Sequence, residues 1–535
     1  MRDAFAIVLH SHLPYARGAG RWPHGEEWIH EAILGTYLPL LVALHDLRAE
    51  RVPFQITLGI TPILLEQLAD HDIDARFVEY ADDQVARATR DAEQFAAAGA
   101  GHRAGVASFY RDRFTLLRDA YLRRFGRDLV GAFSDLGRTG HVEILTSAAT
   151  HGYLPLLDER SVQGQLAIGL ASTERLTGLR PNGIWLPECA YRPGLEDVLE
   201  AHGLDHFFTD STLFSDTPTA TTRRTLLSQR TWSAGAVAQL EAAPAGSATA
   251  DAFRPYLVGS SGVAAIARHS KVSGQVWSAA TGYPGDASYR EFHRKDDRSG
   301  LRYWRVTDTA TDLGAKDDYD IERAAERARS HATHFVGVVR DALADHRART
   351  GHDGLLTTTF DSELFGHWWF EGVDWLSQVL RALGERTTTV ARYLAEAPPR
   401  ERIALREGSW GKNNDHSTWL NADTAWMWDE LGRLADAFAV AGTTPPDDPL
   451  RARAARQATR ELLLAQSSDW PFLRTTGQAT DYGIERFKSH VMRFTRALEL
   501  WRRGTAEDEA ELRTLERADN PFPDADPGAF ESRAR

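Results

Sequence analysis

The sequence has little cysteine and no excess of basic charge. Its 535 residues include a single cysteine, which excludes a disulfide framework and any metal cluster built from cysteines. Lysine and arginine number 62 against 75 aspartates and glutamates, for a formal net charge of −13. General nucleic-acid binding or binding to an anionic membrane needs a basic face, so we expect neither a nucleic-acid nor a membrane partner.

We also expect the sequence to lack long hydrophobic runs. We find no apolar run close to the ~18 residues that span a bilayer. The N-terminal segment "FAIVLHSHLPY" (5–15) is typical of a buried strand entering a functional loop, not of a signal peptide. Nothing in the composition requires an oxidising compartment, so we expect a soluble cytoplasmic protein with a large core.

Short apolar segments alternate with amphipathic helical segments over the first 360 or so residues, as in a parallel α/β protein. Seven of these segments are predicted strands, and seven strands with helices between them favour a barrel over an open sheet. They are 5–10, 54–60, 142–148, 183–188, 206–211, 262–268 and 355–361.

Two stretches interrupt this alternation, and the last part of the chain has no strand signals. Residues 66–130 predict a helical insertion, and 213–255, rich in Thr, Ser and Ala, predicts a long loop or lid. After about residue 400 three amphipathic helices are predicted, at 424–442, 450–468 and 484–504. We therefore place a barrel domain at 1–400, a helical domain at 401–520 and a partly unpacked tail at 521–535.

Histidines follow two of the predicted strands, at the end that faces the active site in a parallel barrel. In "HSHLPY" (10–15), His10 and His12 lie two residues apart on a strand and so share a face. They could bind sugar hydroxyls, hold a metal, or be buried structural histidines. His151, in "THGYLPLL" (150–157), is a weak candidate when taken alone.

One carboxylate stands in an otherwise apolar segment. "GIWLPECAY" (183–191) places Glu188 between Pro187 and Cys189, after a strand that carries Trp185. Glutamate is seldom buried unless it is paired or reactive, and the nearest basic residue in sequence is Arg192. Glu188 is therefore either a paired structural residue or a reacting group.

Two further stretches combine carboxylates, amides and tryptophans. "TTTFDSELFGHWW" (357–369) ends a strand at Asp361 and includes Trp369, and "EGSWGKNNDHSTWLN" (407–421) sets amides between Trp410 and Trp419. Aromatic faces stack on pyranose rings while carboxylates bind their hydroxyls. Two carboxylates at strand ends also fit the two-carboxylate mechanism of glycoside chemistry.

Taken in order, these five stretches resemble the motifs of glycoside hydrolase family 57, and within it those of the 1,4-α-glucan branching enzymes. "QVWSAATGYPGDASYREF" (275–292) and "AQSSDWPFL" (465–473) resemble the same subgroup, and the resemblance covers nearly the whole chain. It implies a (β/α)7 barrel with a helical insertion, an all-α C-terminal domain that completes the active site, and a retaining mechanism without metal or cofactor.

The resemblance also implies roles for particular residues. Glu188 would be the nucleophile and Asp361 the general acid/base. Tyr256 is the candidate for a tyrosine that the branching enzymes carry on a long loop near the site. The residues implied in substrate binding are His10, His12, His151, Trp185, Arg268, Trp277, Trp369, Trp410, Trp419, Asp469 and Trp470.

The leading functional hypothesis is transfer of an α-1,4-glucan segment from a donor chain to the C6 hydroxyl of an acceptor glucan, by a monomer or small homo-oligomer. α-Amylase or 4-α-glucanotransferase activity on the same scaffold is the first alternative. A metal-dependent hydrolase or deacetylase using His10 and His12 as ligands is the second. The third is a non-catalytic glucan-binding protein.

Overall fold

The computed structural model describes residues 3–20, 24–214, 250–278, 281–308, 310–444 and 446–531. The described part combines parallel strands with many helices, which confirms the predicted α/β class. Most of the stretch predicted as a long loop or lid, 215–249, lies outside the described residues.

Each of the seven predicted strand segments contains or overlaps a strand. These segments form strands because their apolar residues are buried on both faces, as in β1, where all eight residues are buried. The short strands β6 and β9 were not predicted. The strands are β1 Ala4–Ser11, β2 Ile56–Ile60, β3 Val142–Leu145, β4 Gly183–Ile184, β5 His206–Asp210, β6 Tyr256–Val258, β7 Ala264–Arg268, β8 Leu355–Asp361 and β9 Arg402–Ile403.

The strands pair into two sheets. One is four-stranded with the order β3-β2-β1-β8, and the other is five-stranded with the order β4-β5-β7-β6-β9. All pairs are parallel except β6 with β7. Backbone hydrogen bonds join the two sheets at two places: Trp185 N donates to Thr146 O at 2.9 Å, and His269 N donates to Thr357 O at 2.8 Å.

Helices connect the strands and cover the sheets. Within the predicted insertion, α4 begins at the N-cap Asp70 and packs along α5. The helices of the first part are α1 Glu26–Ala32, α2 Leu38–Ala49, α3 Pro62–Leu68, α4 His71–Ala97, α5 Gly101–Asp119, α6 Leu129–Arg138, α7 Glu159–Thr177, α8 Leu195–Ala201, α9 Ser270–Trp277, α10 Ile321–Thr350, α11 Gly372–Leu383 and α12 Val390–Glu396.

The last part of the described chain is helical, and the three predicted helices are present as α13, α14 and α16. Its helices are α13 Ala425–Ala441, α14 Pro449–Ala465, α15 Asp469–Thr476, α16 Thr480–Arg503 and α17 Glu509–Ala518. The expectation of a partly unpacked tail is wrong as far as residue 531, since Phe522 and Phe530 are each 2% exposed. The ring of Phe530 packs against Phe438, so apolar anchors hold a segment whose overall composition is acidic.

One helical segment, Glu26–Ala49, is long and apolar enough to cross a membrane by length and composition alone. The expectation that no run reaches this length is therefore wrong. The protein buries 67% of the apolar window inside itself, which is what a core helix shows.

Candidate active site

Candidate residues from separate segments meet beside the ends of β1, β4, β7 and β8. His10 lies on β1 opposite Asp361, the last residue of the neighbouring strand β8. Arg268 ends β7, and Glu188 follows β4 by four residues. Parallel strands bring their carboxyl ends to one edge, so the order of elements explains why residues far apart in sequence converge.

The backbone around Glu188 is an unusual turn. Glu188 and Cys189 have φ values of 62° and 49°, in the left-handed region that few residues other than glycine adopt. The Glu188 carbonyl accepts the N–H of Trp410 at 3.1 Å, and Tyr191 exchanges two backbone hydrogen bonds with Gly408. The 408–410 segment thus holds the turn in place and offsets its strain.

Residues from three segments contact the Glu188 carboxylate. Trp410 Nε1 donates to one oxygen at 2.8 Å. Ser468 Oγ lies 3.4 Å from the other oxygen, and His151 Nδ1 lies 3.8 Å from it. The side chain remains 15% exposed, so the carboxylate is oriented by hydrogen bonds and still open to a ligand.

Three histidine rings lie against one another next to this carboxylate. His12 stacks on His151 with ring centroids 3.9 Å apart, and the Nε2 atoms of His10 and His151 are 3.2 Å apart. His12 Nε2 contacts Asp469 at 3.1 Å, and its Nδ1 contacts Thr61 at 3.1 Å. Both ring nitrogens of His12 are therefore engaged with protein groups, whereas His10 Nδ1 is buried without a hydrogen-bond partner in the described part of the chain.

The pKa values of the three rings differ because only His12 is hydrogen-bonded to a carboxylate. Burial and the positive charge of His12 lower the pKa of His10 and of His151 well below the ordinary value. Burial also lowers the pKa of His12, but the hydrogen bond to Asp469 and the charges of Asp469, Glu188 and Glu363 together outweigh it, and the pKa is raised. Of the three rings, His12 is thus the one that most readily takes up a proton.

The two candidate catalytic carboxyls have raised pKa values. Burial raises the pKa of Glu188 to about 7, the Trp410 hydrogen bond opposes this rise, and the charge of Asp361 adds to it. Burial raises the pKa of Asp361 to about 6 against the opposing charges of His12 and Arg268. The charge of Asp361 thus favours the protonated form of Glu188, and near neutral pH the pair can hold a single proton.

A third carboxyl near the site was not predicted as a site residue. Glu363 is buried, and burial raises its pKa to about 8. The Tyr37 hydroxyl donates to Glu363, and the His12 N–H donates to the same oxygen at 3.3 Å. The position of Glu363 two residues after Asp361 was visible in sequence. Its partner Tyr37 follows α1, over 320 positions away, and no local pattern could reveal it.

Arg268 and Trp410 are joined on the other side of the site. Arg268 is ion-paired with Asp210, and its guanidinium lies 5.7 Å from the centroid of the Trp410 ring. Asp210 was not predicted as a site residue. Through this contact Arg268 supports the ring that holds Glu188.

The structure corrects several of the tryptophan predictions. Trp185, Trp369, Trp419 and Trp470 are each at most 1% exposed, so they have no free face for a sugar ring. Trp185 stacks on His10, Trp419 stacks on Tyr153, and Trp470 Nε1 donates to Leu464 O. By contrast, Trp277 is 45% exposed and Trp410 is half-buried, so these two can contact a ligand.

The structure also places Tyr256, the candidate for a loop tyrosine, in strand β6. Its hydroxyl accepts the N–H of Asp251 at 3.1 Å, and its ring packs edge-on against Phe214. Tyr256 is therefore a buried strand residue and not the loop residue that was predicted. Its ring is buried beside the five-stranded sheet.

The helical region contributes directly to the site. Ser468 and Asp469, at the start of α15, reach Glu188 and His12, and the Ser468 N–H donates to His151 O at 3.1 Å. Two carboxyls with raised pKa values, ringed by histidines and by one hydrogen-bonding tryptophan, define a site of the kind that cleaves glycosidic bonds.

Comparison with known proteins agrees with this class. Residues 6–406 match the model of glycosyl hydrolase family 57, and residues 434–530 match a model described as 1,4-alpha-glucan branching enzyme, C-terminal. The chain belongs to glycosyl hydrolase family 57.

Individual relatives cover nearly the whole chain. A 1,4-alpha-glucan branching enzyme of Thermococcus kodakarensis is 41% identical over 98% of this chain and 78% of its own length. A crystal structure of a branching enzyme of this family from Thermococcus kodakaraensis superposes with a TM-score of 0.89 and 38% identity, covering 100% of this chain and 97% of that one. The alpha-amylase AmyC of Thermotoga maritima superposes with a TM-score of 0.84 and 29% identity, covering 100% of both chains.

Proposed function

We propose that this protein is a 1,4-α-glucan branching enzyme, which cuts α-1,4 linkages and rejoins the released segment through an α-1,6 bond. One observation carries the proposal: the hydrogen-bonded Glu188 carboxylate and the Asp361 carboxyl share an environment that raises both pKa values. The branching-enzyme relatives, which match over nearly the whole chain, support the choice of substrate.

In the first half-reaction a Glu188 oxygen attacks the anomeric carbon of the donor glucan. The α-1,4 bond breaks as Asp361 gives its proton to the departing O4, which leaves a glycosyl ester on Glu188. Trp410 Nε1 and Ser468 Oγ stabilise the ionised Glu188 before attack, since both donate toward its oxygens.

In the second half-reaction Asp361, now ionised, takes the proton of a C6 hydroxyl on the acceptor glucan. That oxygen attacks the anomeric carbon, the ester bond breaks, and the Glu188 carboxylate is regenerated. Two inversions give overall retention of configuration. His12, His10 and His151 line the donor side, where the charge held by His12 and Asp469 can orient sugar hydroxyls.

We also propose that the two sheets together form a closed (β/α)7 barrel. Two backbone bonds support closure: Trp185–Thr146 links the ends of the edge strands β4 and β3, and His269–Thr357 links the residue after β7 to the edge strand β8. Closure would place the seven predicted strands in one ring with the site at their carboxyl ends.

The helical region is proposed as a second wall of the site that favours transfer over hydrolysis. Transfer requires that a bound acceptor exclude water from the glycosyl ester. Ser468 and Asp469 approach from this region, and half-buried Trp410 and exposed Trp277 offer aromatic surface for glucan chains. Storage-glucan (glycogen) synthesis in the cytoplasm, by a monomer or small homo-oligomer, fits this proposal.

The test is to incubate wild type and Glu188→Gln with amylose and examine the products by one-dimensional proton NMR, before and after isoamylase debranching. We expect new α-1,6 signals with little increase in reducing ends for wild type and none for Glu188→Gln. Glu531→Gln is a matched control on a carboxylate in an exposed residue far along the chain, and it should branch as wild type does. Wild-type product without α-1,6 signals would contradict the proposal.

The second candidate is hydrolysis or linear transfer on the same scaffold, which the similarity to the Thermotoga maritima alpha-amylase supports. The catalytic pair is compatible with either outcome, because the acceptor decides the product. Rising reducing ends would identify an α-amylase, and redistribution of linear chain lengths would identify a 4-α-glucanotransferase.

A further inference from the structure

A cavity of about 370 Å³ lies apart from the catalytic carboxyls. Helices α4 and α5 of the insertion form part of its wall, and α1 with the residues after it, the segment 290–302 and the turn that follows Asp361 form the rest. The turn is tight: Gly366 has φ +99°, and a Cβ there would lie 1.9 Å from Gly35 O. Neither Glu188 nor Asp361 lines this cavity.

The cavity is rich in cations although the chain as a whole carries a formal charge of −13. Four carboxylates also line it, and one of them, Asp296, accepts the backbone N–H groups of Arg298 and Ser299. A second, Glu31, lies 3.8 Å from a lysine of the same wall. The lining cations are Arg87, Arg113, Arg290, Lys295, Arg298 and Arg302.

Three of these arginines have no carboxylate within 4.0 Å among the residues that the structure describes, and they lie over aromatic rings. Arg290 and Arg113 both lie over Phe370, at 4.0 and 4.8 Å from its centroid. Arg302 lies over Phe292 at 4.6 Å. Ring faces orient a guanidinium but leave the N–H groups in its plane available.

Some of those N–H groups are unsatisfied. Within the described part of the chain, Arg290 Nε and Arg302 Nη2 are buried and have no hydrogen-bond partner. Burial and the charge of Arg290 lower the pKa of Arg302 to about 10. Buried donors without partners are costly and like charges repel, so an anion between these guanidiniums would relieve both effects.

We propose that this cavity is a binding site for a phosphoryl group, either as free phosphate or as part of a phosphorylated sugar. Guanidinium groups match the tetrahedral phosphate oxygens with paired, charge-assisted hydrogen bonds. The cavity is much larger than a phosphate ion, and Glu27, Tyr80 and Phe114 line the rest of it. Carboxylate and ring surfaces of this kind suit the hydroxyls and C–H faces of an attached sugar.

The test is isothermal titration calorimetry of the full chain in a phosphate-free buffer with inorganic phosphate, glucose 6-phosphate and glucose. We expect saturable binding of phosphate or glucose 6-phosphate and none of glucose. Tighter binding of glucose 6-phosphate would identify the phosphorylated sugar as the source, and equal binding would identify free phosphate. Absence of binding by both phosphate compounds, or glucose binding as tightly as they do, would overturn the proposal.

Two variants and a matched control locate the site. Arg302→Gln and Arg113→Gln should each weaken phosphate binding by about tenfold or more, the loss expected for one charged hydrogen bond. Arg111→Gln changes an arginine of α5 whose side chain is 40% exposed and paired with Asp112, and it should bind as wild type does. Arg113→Gln is the second variant if Arg302→Gln, which replaces a side chain with a buried nitrogen, fails to fold. Unchanged binding in a folded Arg113→Gln would refute this location.

The site is independent of the glucan chemistry. Glu188→Gln, which removes the proposed nucleophile, should bind phosphate as tightly as wild type. Phosphate binding without branching activity would support this site and contradict the proposed function. Branching activity without phosphate binding would do the reverse.

Discussion

Replacing Trp410 by phenylalanine tests the proton arrangement at the site. The change keeps an aromatic ring under Arg268 but removes the Nε1–H that donates to Glu188 at 2.8 Å. That hydrogen bond favours the ionised form of Glu188 and holds its pKa below the value that burial alone would produce. Glu188 already has the higher pKa, so the form with the proton on Asp361 is the minor one, and without this hydrogen bond the single proton of the pair shifts further toward Glu188 and away from Asp361.

The size of the effect follows from the strength of a hydrogen bond to a charged group. Such bonds contribute about 1.5–3 kcal/mol, and one pKa unit corresponds to about 1.36 kcal/mol. The pKa of Glu188 should therefore rise by about 1–2 units. The share of the pair with the proton on Asp361, the form that can react, should fall by about 10- to 100-fold.

The assay is the initial rate of branching, measured as α-1,6 linkages formed from amylose, from pH 4.5 to 9. In Trp410→Phe we expect a maximum rate lower by that factor and an alkaline limb displaced upward by about 1–2 pH units. Both changes come from the same proton, so they must occur together.

Trp426→Phe is the matched control, because Trp426 Nε1 donates to the backbone oxygen of Asp423 and not to a carboxylate. It should leave rate and pH profile unchanged. A Trp410→Phe enzyme that loses activity without any shift of the alkaline limb would refute the proton argument, and it would mean that Trp410 acts through contact with the glucan.

Three further predictions follow from the same site. The wild-type rate should be bell-shaped in pH with limbs near 6 and 7, because at lower pH both carboxyls are protonated and at higher pH both are ionised; a rate that is flat from pH 5 to 8 would contradict the raised pKa values. The raised pKa of Glu188 contributes stability that is fully present below pH ~4.5 and is lost as the pH rises through about 7. Glu188→Gln avoids that loss of about 3 kcal/mol. The thermal midpoint of Glu188→Gln minus that of wild type should therefore be about 3 °C higher at pH 8 than at pH 4.5; a difference that does not depend on pH would count against the raised pKa of Glu188. Dialysis against a chelator, followed by metal analysis, should leave the branching rate unchanged; a loss that zinc restores would favour His10 and His12 as ligands.

The strands and their chemistry were predictable because both depend on local sequence. Runs such as "FQITLGI" are buried on both sides of a parallel strand, so their composition alone marks them. A carboxylate or histidine directly after such a run must lie at the carboxyl edge of the sheet. This reasoning located His10, Asp361 and Glu188 without knowledge of any contact.

Aromatic exposure could not be predicted in the same way. Tryptophan has an apolar face that suits a sugar ring and a protein core equally well. Trp369 packs against Tyr289, and Trp419 is covered by Tyr153, both through contacts between distant segments. The indole that does touch Glu188, Trp410, stands in the same amide-rich stretch as Trp419 and has no distinguishing pattern of its own.

Partners supplied by distant elements were also invisible in sequence. Tyr37 reaches Glu363 from the segment after α1, and Ser468 reaches Glu188 from the helical region. The residue types are ordinary serines and tyrosines, and only the packing of one region against another selects them.

The left-handed backbone at Glu188 has a consequence for chemical rescue. Glycine adopts φ +62° without the strain that a side chain incurs there, so Glu188→Gly should keep the turn and leave a carboxylate-sized space beside Trp410 Nε1 and Ser468 Oγ. A small external anion such as formate could occupy that space and attack the anomeric carbon in place of the missing side chain. The turn that positions the Glu188 carboxylate thus also makes this position suited to an external nucleophile that can be exchanged.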